Sequence, residues 1–210
     1  DHDIALVDPV LTHSMPPEVT ASTGLDALTQ LMEVFVSNKA NPMTDGICRE
    51  GLARAARSLR RAFADGADTA AREDMAIASL FGGLALANGK LGAVHGFAGP
   101  VGGMFPIPHG IVCAALLPHV VEVNIRALES RAPGSPFLAR FDELGGILTG
   151  DAGAGRAEAI AWVRDTCRAL HVPGLGRYGL DARSVPVLVE NAARASSMKG
   201  NPIELTQDEL

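Results

Sequence analysis

The chain has 210 residues, 47% of them hydrophobic and 20% charged, a balance that excludes disorder and fits one globular domain with a buried core. Its 24 acidic residues outnumber 18 basic ones, and the net charge of -6 has the wrong sign for general binding to nucleic acid or an anionic membrane. No uninterrupted apolar run approaches the roughly 18–20 residues of a membrane span, and Asp1-His2-Asp3 lacks the basic-then-apolar form of a secretory leader, so the cytoplasm is the expected compartment.

In chain order, residues 4–7 (Ile-Ala-Leu-Val) form a short apolar run closed by Asp8-Pro9 and are expected to make a buried strand. Everything after it patterns as helix. A lone strand would leave its backbone donors and acceptors unpaired, so its sheet is expected in a part of the protein absent from this chain. A first helix is expected over 24–37, where Leu25, Leu28, Met32 and Phe35 recur at helical spacing. Asn41-Pro42 starts the next, to about residue 64, because an Asn cap followed by proline satisfies exposed amides and presets the backbone. A third spans 68–88, and its Gly82-Gly83 and Ala85 point to close packing against another helix. Residues 91–110, rich in Gly, Pro and His, read as loop and helix, followed by an apolar helix to about residue 130. Helices over 136–149, 155–170 and 184–195 complete the pass, separated by turns at Pro133-Gly134, Pro173-Gly174 and Asn201-Pro202. The fold class is all-α, with six to eight helices.

Chemistry has to come from histidines, carboxylates and unusual glycines. His95 and His109 stand fourteen residues apart, each followed by glycine, which suits side chains presented at the wall of a cleft. Asp26 sits in an apolar stretch with Gln30 and Glu33 on the same helical face; it reads either as a cap and dipole partner or as a carboxylate ligand. Cys48, Cys113 and Cys167 are too far apart for a CxxC site and odd in number, so they read as reduced packing residues. Arg49, Arg54, Arg57, Arg60 and Arg61 crowd one helix; Arg54, Arg57 and Arg61 share a face, read as solvated rather than phosphate-binding. Gly174-Leu-Gly-Arg-Tyr-Gly179 matches a dinucleotide fingerprint on paper, but it follows a helix and Pro173 where the fingerprint needs a strand. Lys199 lies in a segment that a cap and a turn explain, and His2, His13, His119 and His171 carry no motif. No GxSxG or HExxH is present, which leaves a serine hydrolase or a zincin without support.

Four segments together carry a resemblance: Gly24-Leu-Asp-Ala-Leu-Thr-Gln-Leu-Met-Glu33, Asn41-Pro-Met-Thr-Asp45, Asn88-Gly-Lys-Leu-Gly-Ala-Val-His95 and Pro108-His-Gly110. In order and spacing they resemble the C-terminal helical domain of the iron-containing alcohol dehydrogenases. The resemblance implies a preceding α/β nucleotide-binding domain, with residues 1–15 the strand and linker leading from it and residues 16–210 the helical metal and substrate domain. It implies a divalent metal, Fe(II) or Zn(II), held by Asp26, position 30, His95 and His109, and NAD(P) bound mainly through the missing domain. It implies a small alcohol or aldehyde substrate and a homo-oligomer, with no nucleic-acid or membrane partner. The implied activity is an NAD(P)-dependent alcohol dehydrogenase or aldehyde reductase, inactive as the isolated helical half. Two positions depart from the family pattern: Gln30 stands where metal-dependent members have His, and Gly99 where many have a second His. The metal-free maleylacetate reductases are similar, and on that alternative His95 and His109 serve the substrate carbonyl directly by hydrogen bonding or proton transfer. A non-catalytic helical module associating through its interdomain face is the other alternative. The dehydroquinate-synthase-like lyases rank below both, because their first ligand is Glu rather than Asp.

Overall fold

The computed structural model describes residues 4–210, so the readings of Asp1-His2-Asp3 fall outside it. Eight α-helices are present among the described residues: α1 (Pro17–Phe35), α2 (Pro42–Ala64), α3 (Thr69–Asn88), α4 (Ala93–Met104), α5 (His109–Arg131), α6 (Pro136–Thr149), α7 (Arg156–Ala169) and α8 (Val185–Arg194). Short 3-10 turns at Pro9–Thr12, Leu175–Tyr178 and Ser196–Gly200 complete the fold. The strand expected over 4–7 is not formed. Ile4 and Leu6 are exposed and the segment has no partner strand to satisfy its amides.

The helix starts follow local chemistry. Asn41 caps α2: its Oδ1 accepts from the Met43 and Thr44 amides, while the Thr44 hydroxyl accepts from the Asn41 amide, a closed capping box. Ser135 and Pro136 open α6, and Gly150, at φ 73°, ends it in the left-handed conformation. Helix α1 begins at Pro17, well before the expected residue 24. Thr20, Thr23 and Ser22 are poor helix formers in isolation, but Thr20 and Ala21 are buried, and packing overrides the propensity.

Twelve of the nineteen residues of α1 are buried, which makes it the centre of the assembly rather than a surface helix. It packs on α2, α3 and α5, with Leu25, Leu28, Leu31, Met32 and Phe35 excluded from solvent. At Gly82 of α3 a β-carbon would lie 3.5 Å from the Ala27 carbonyl oxygen, so the close approach expected from the glycine pair occurs there; around Gly83 there is open space. Helix α5 has the length and mean hydropathy, 1.6, of a membrane span, but 61% of that stretch is buried among its neighbours, as in the core helix of a bundle. Helices α6 and α7 pair with each other, and α8 packs on α4.

The arginines of α2 form a largely exposed face, as expected, and each side chain on it is engaged by a neighbour. Arg54 and Arg57 both bond the carboxylate of Asp74 on α3, which also accepts from Ser58 Oγ at 2.6 Å. Arg61 pairs with Asp68, Arg49 with Glu143 of α6, and Arg60 donates to Thr166 while lying over the Trp162 ring of α7. Spacing along one helix reveals which arginines share a face; it does not reveal the carboxylates that another helix brings opposite them.

Candidate metal centre

The site gathers residues from α1, α4 and α5. Asp26 comes from the buried middle of α1. His95 is the third residue of α4, whose N-terminal cap, Gly92, has no side chain to satisfy the first amides. Distant residues do so instead: Asn201 Oδ1 accepts from the Ala93 amide at 3.2 Å and Glu33 Oε1 accepts from the Val94 amide at 2.7 Å. The other oxygen of Glu33 lies 2.6 Å from His95 Nδ1. One carboxylate therefore caps the helix and orients the imidazole it carries. His109 opens α5, and the next residue, Gly110, sits so close to α1 that a β-carbon would run into the Ser22 carbonyl. That contact sets the start of α5 beside α1.

These placements bring four donors together. Asp26 Oδ1 lies 3.3 Å from His95 Nε2 and 3.8 Å from His109 Nε2. Cys113 Sγ, one turn after His109, lies 3.8 Å from His95 Nε2 and 3.6 Å from His109 Nε2. All four donor atoms fall within 4.8 Å of one another. The His95 side chain is 7% exposed and that of Asp26 24%, whereas His109 is 51% exposed and marks the open side of the site.

The electrostatics suit a cation. Asp26 Oδ1 is buried without an aligned hydrogen-bond partner, because both histidine nitrogens near it are long or badly angled. A buried carboxylate oxygen in that state is costly unless something positive fills the gap. Burial works to raise the Asp26 pKa, but His95 and His109 outweigh it and hold the carboxyl below its usual range. Burial likewise opposes the charged form of His95, yet its side-chain contacts with Asp26, Cys113 and Glu33 outweigh it and push its pKa up to about 12. Burial also raises the pKa of the Cys113 thiol. An oxygen, two imidazoles and a sulfur converging on one point form a donor set that fits a divalent transition metal.

The structure thus brings together three of the residues singled out from sequence, Asp26, His95 and His109. Gln30 is one turn along α1, and its amide oxygen is turned against α3, where a β-carbon on Gly82 would meet it at 2.9 Å. Gly99 is exposed with open space around it. The 174–179 glycine segment is a 3-10 turn ending at Gly179, φ 88°, with no strand before it. Lys199 is exposed, and the segment around it serves α4: Asn201 also exchanges hydrogen bonds with Asn124 of α5. Two participants escaped sequence reasoning. The sequence pattern places Glu33 only on the Asp26 face and marks Cys113 as a packing residue, although its spacing of four from His109 puts both on one side of a helix.

Comparison with known proteins shows the family and the fold. A family model described as the C-terminal part of the Fe-containing alcohol dehydrogenase family matches residues 20–210. The chain is 35% identical to a 1,3-propanediol dehydrogenase of Klebsiella pneumoniae over 209 residues, 99% of this chain and 53% of that protein. It superposes on the crystal structure of a 1,3-propanediol oxidoreductase with a TM-score of 0.87 at 34% identity, covering 96% of this chain and 52% of the other. A maleylacetate reductase from Rhizobium shares the fold, with a TM-score of 0.78 at 22% identity over 96% of this chain and 53% of the other. The chain spans about half the length of the curated relatives it matches.

Proposed function

Because the chain belongs to the iron-containing alcohol dehydrogenase family, we propose that it is the helical half of an NAD(P)-dependent oxidoreductase acting on a small alcohol or aldehyde, with a divalent metal, Fe(II) or Zn(II), at Asp26, His95 and His109. The observation that carries this reading is the convergence of those three side chains around a buried, unpartnered carboxylate oxygen. Residues 1–15 lead in from a preceding nucleotide-binding domain that supplies most of the NAD(P) site. Residues 16–210 form the metal and substrate domain, and the protein works as a homo-oligomer.

When bound, the metal supplies Lewis acidity that polarises the substrate oxygen and lowers the pKa of an alcohol. The remaining work belongs to the chain. Glu33 holds a proton on His95 Nδ1, since a carboxylate only accepts, and this leaves Nε2 as the donor atom aimed into the site. Asp26 contributes the negative charge, and half-exposed His109 stands at the mouth where substrate enters.

The test is NAD(P)H formation by the full-length protein on a series of primary alcohols. The reading expects Asp26→Asn and His109→Ala each to lower kcat/KM by at least about 100-fold, and a chelator to abolish turnover reversibly. Turnover that survives exhaustive chelation would move the protein to the metal-free, maleylacetate-reductase-like alternative. Absence of nicotinamide turnover with every alcohol and aldehyde would favour a non-catalytic module.

A further inference from the structure

We propose that Cys113 is the fourth metal donor of this protein, supplying as a thiolate the ligand that position 30 cannot. This rests on the metal-centre reading above and goes beyond it by changing the donor set. Glutamine at position 30 offers only a weak carbonyl oxygen, and that oxygen is turned against Gly82 of α3. Cys113 occupies the mirrored place on α5: it follows His109 by one turn, as position 30 follows Asp26 on α1. Its Sγ lies 3.6 Å from His109 Nε2 and 3.8 Å from His95 Nε2, and Asp26 Oδ1 lies 3.3 Å from His95 Nε2. A tetrahedral ion with bonds of about 2.0–2.3 Å spaces its donors about 3.3–3.6 Å apart. Four of the six edges, at 3.3, 3.6, 3.8 and 3.8 Å, match that figure to within a few tenths of an ångström. Cys113 is wholly buried among core residues, and its sulfur there lies near the Nε2 atoms of both imidazoles.

Coordination takes the proton from the Cys113 thiol and passes it to solvent as the sulfur–metal bond forms, with no change of oxidation state. A site of one carboxylate, two imidazoles and one thiolate is softer than one built from carboxylate and imidazoles alone, and favours Zn(II) or Co(II) over Fe(II).

Co(II) is the probe, because its absorption reports its ligands. The purified protein loaded with one equivalent of Co(II) is expected to show an intense near-ultraviolet thiolate-to-cobalt charge-transfer band, and titration calorimetry in two buffers to show one more proton released than from Cys113→Ser. Cys113→Ser is expected to lose the band and bind Co(II) at least about tenfold more weakly, as loss of a direct ligand should cost no less than loss of an outer partner. Gln30→Ala is expected to keep the band. Stoichiometric Co(II) without the band, and with equal affinity in Cys113→Ser, would overturn the role of Cys113 while leaving the Asp26, His95 and His109 centre intact. Failure of the wild type to bind Co(II) at all would overturn both. The wild-type spectrum decides the point even if a variant does not fold.

Discussion

At the residue scale, most depends on Glu33. Its two oxygens divide between the Val94 amide and His95 Nδ1, so a single substitution separates their contributions. Glu33→Gln keeps the volume but removes the charge. It should weaken metal binding about 10–100-fold, read by competition with a chromogenic chelator, because outer partners of ligating histidines typically matter that much. Glu33→Ala also strips a cap from α4 and leaves buried His95 without its partner. A loss of about 3 kcal/mol in denaturant unfolding is expected, the range for breaking a buried pair. If Glu33→Gln held metal as tightly as the wild type, its orienting role would be excluded. Asp26, His95 and His109 were legible in the sequence because each belongs to a motif with a fixed position. Glu33 and Cys113 were not, for a physical reason: their roles depend on which helices meet, and that information lies in the packing of α1 against α5 and on α4 rather than in any one segment.

At the element scale, two devices fix the helices that carry the site. Asn201, far along the chain, bonds the Ala93 amide, the Asn124 side chain and the Ile203 carbonyl. Asn201→Ala would leave buried donors unmet at the start of α4 and is expected to cost about 2 kcal/mol. Metal affinity should fall with it, since His95 rides on that turn. The second device is the clamp of Arg54, Arg57 and Ser58 on Asp74. Burial tends to raise the Asp74 pKa, but these partners win and hold it below its usual 3.8. A carboxyl depressed on folding stabilises above its unfolded pKa and loses that contribution as pH falls through the folded value. Asp74→Asn should therefore destabilise the protein at pH 7 by about 2 kcal/mol, and the gap to wild type should close below pH 3.8. A gap that stayed constant across the acid range would show that charge is not what the clamp uses. Helix boundaries such as those of α2 and α6 were readable because Asn41-Pro42 and Ser135-Pro136 are local signals. The early start of α1 was not, because buried threonines give no local sign of their burial.

At the scale of the whole molecule, the bundle is organised around a helix that is buried nearly all round, and this explains why the site is rigid on one side and open on the other. His95 is enclosed by α1 and the start of α4, while His109 faces outward. An apolar groove of about 500 Å³ runs between α1 and α3, lined in part by Met15, Met75, Leu80 and Leu84, and the last two are exposed leucines. The all-α class, the order of helices and the family could be read from the chain. The lone apolar run at residues 4–7 could not, because a strand is defined by its neighbours and none is present. Elemental analysis after dialysis against Zn(II) or Fe(II) tests whether Asp26, His95 and His109 together hold one divalent ion. Close to one ion per chain is expected in the wild type, with loss of that ion in both Asp26→Ala and His109→Ala, each still folded by circular dichroism. Substoichiometric metal in the wild type, or equal metal in all three proteins, would contradict it.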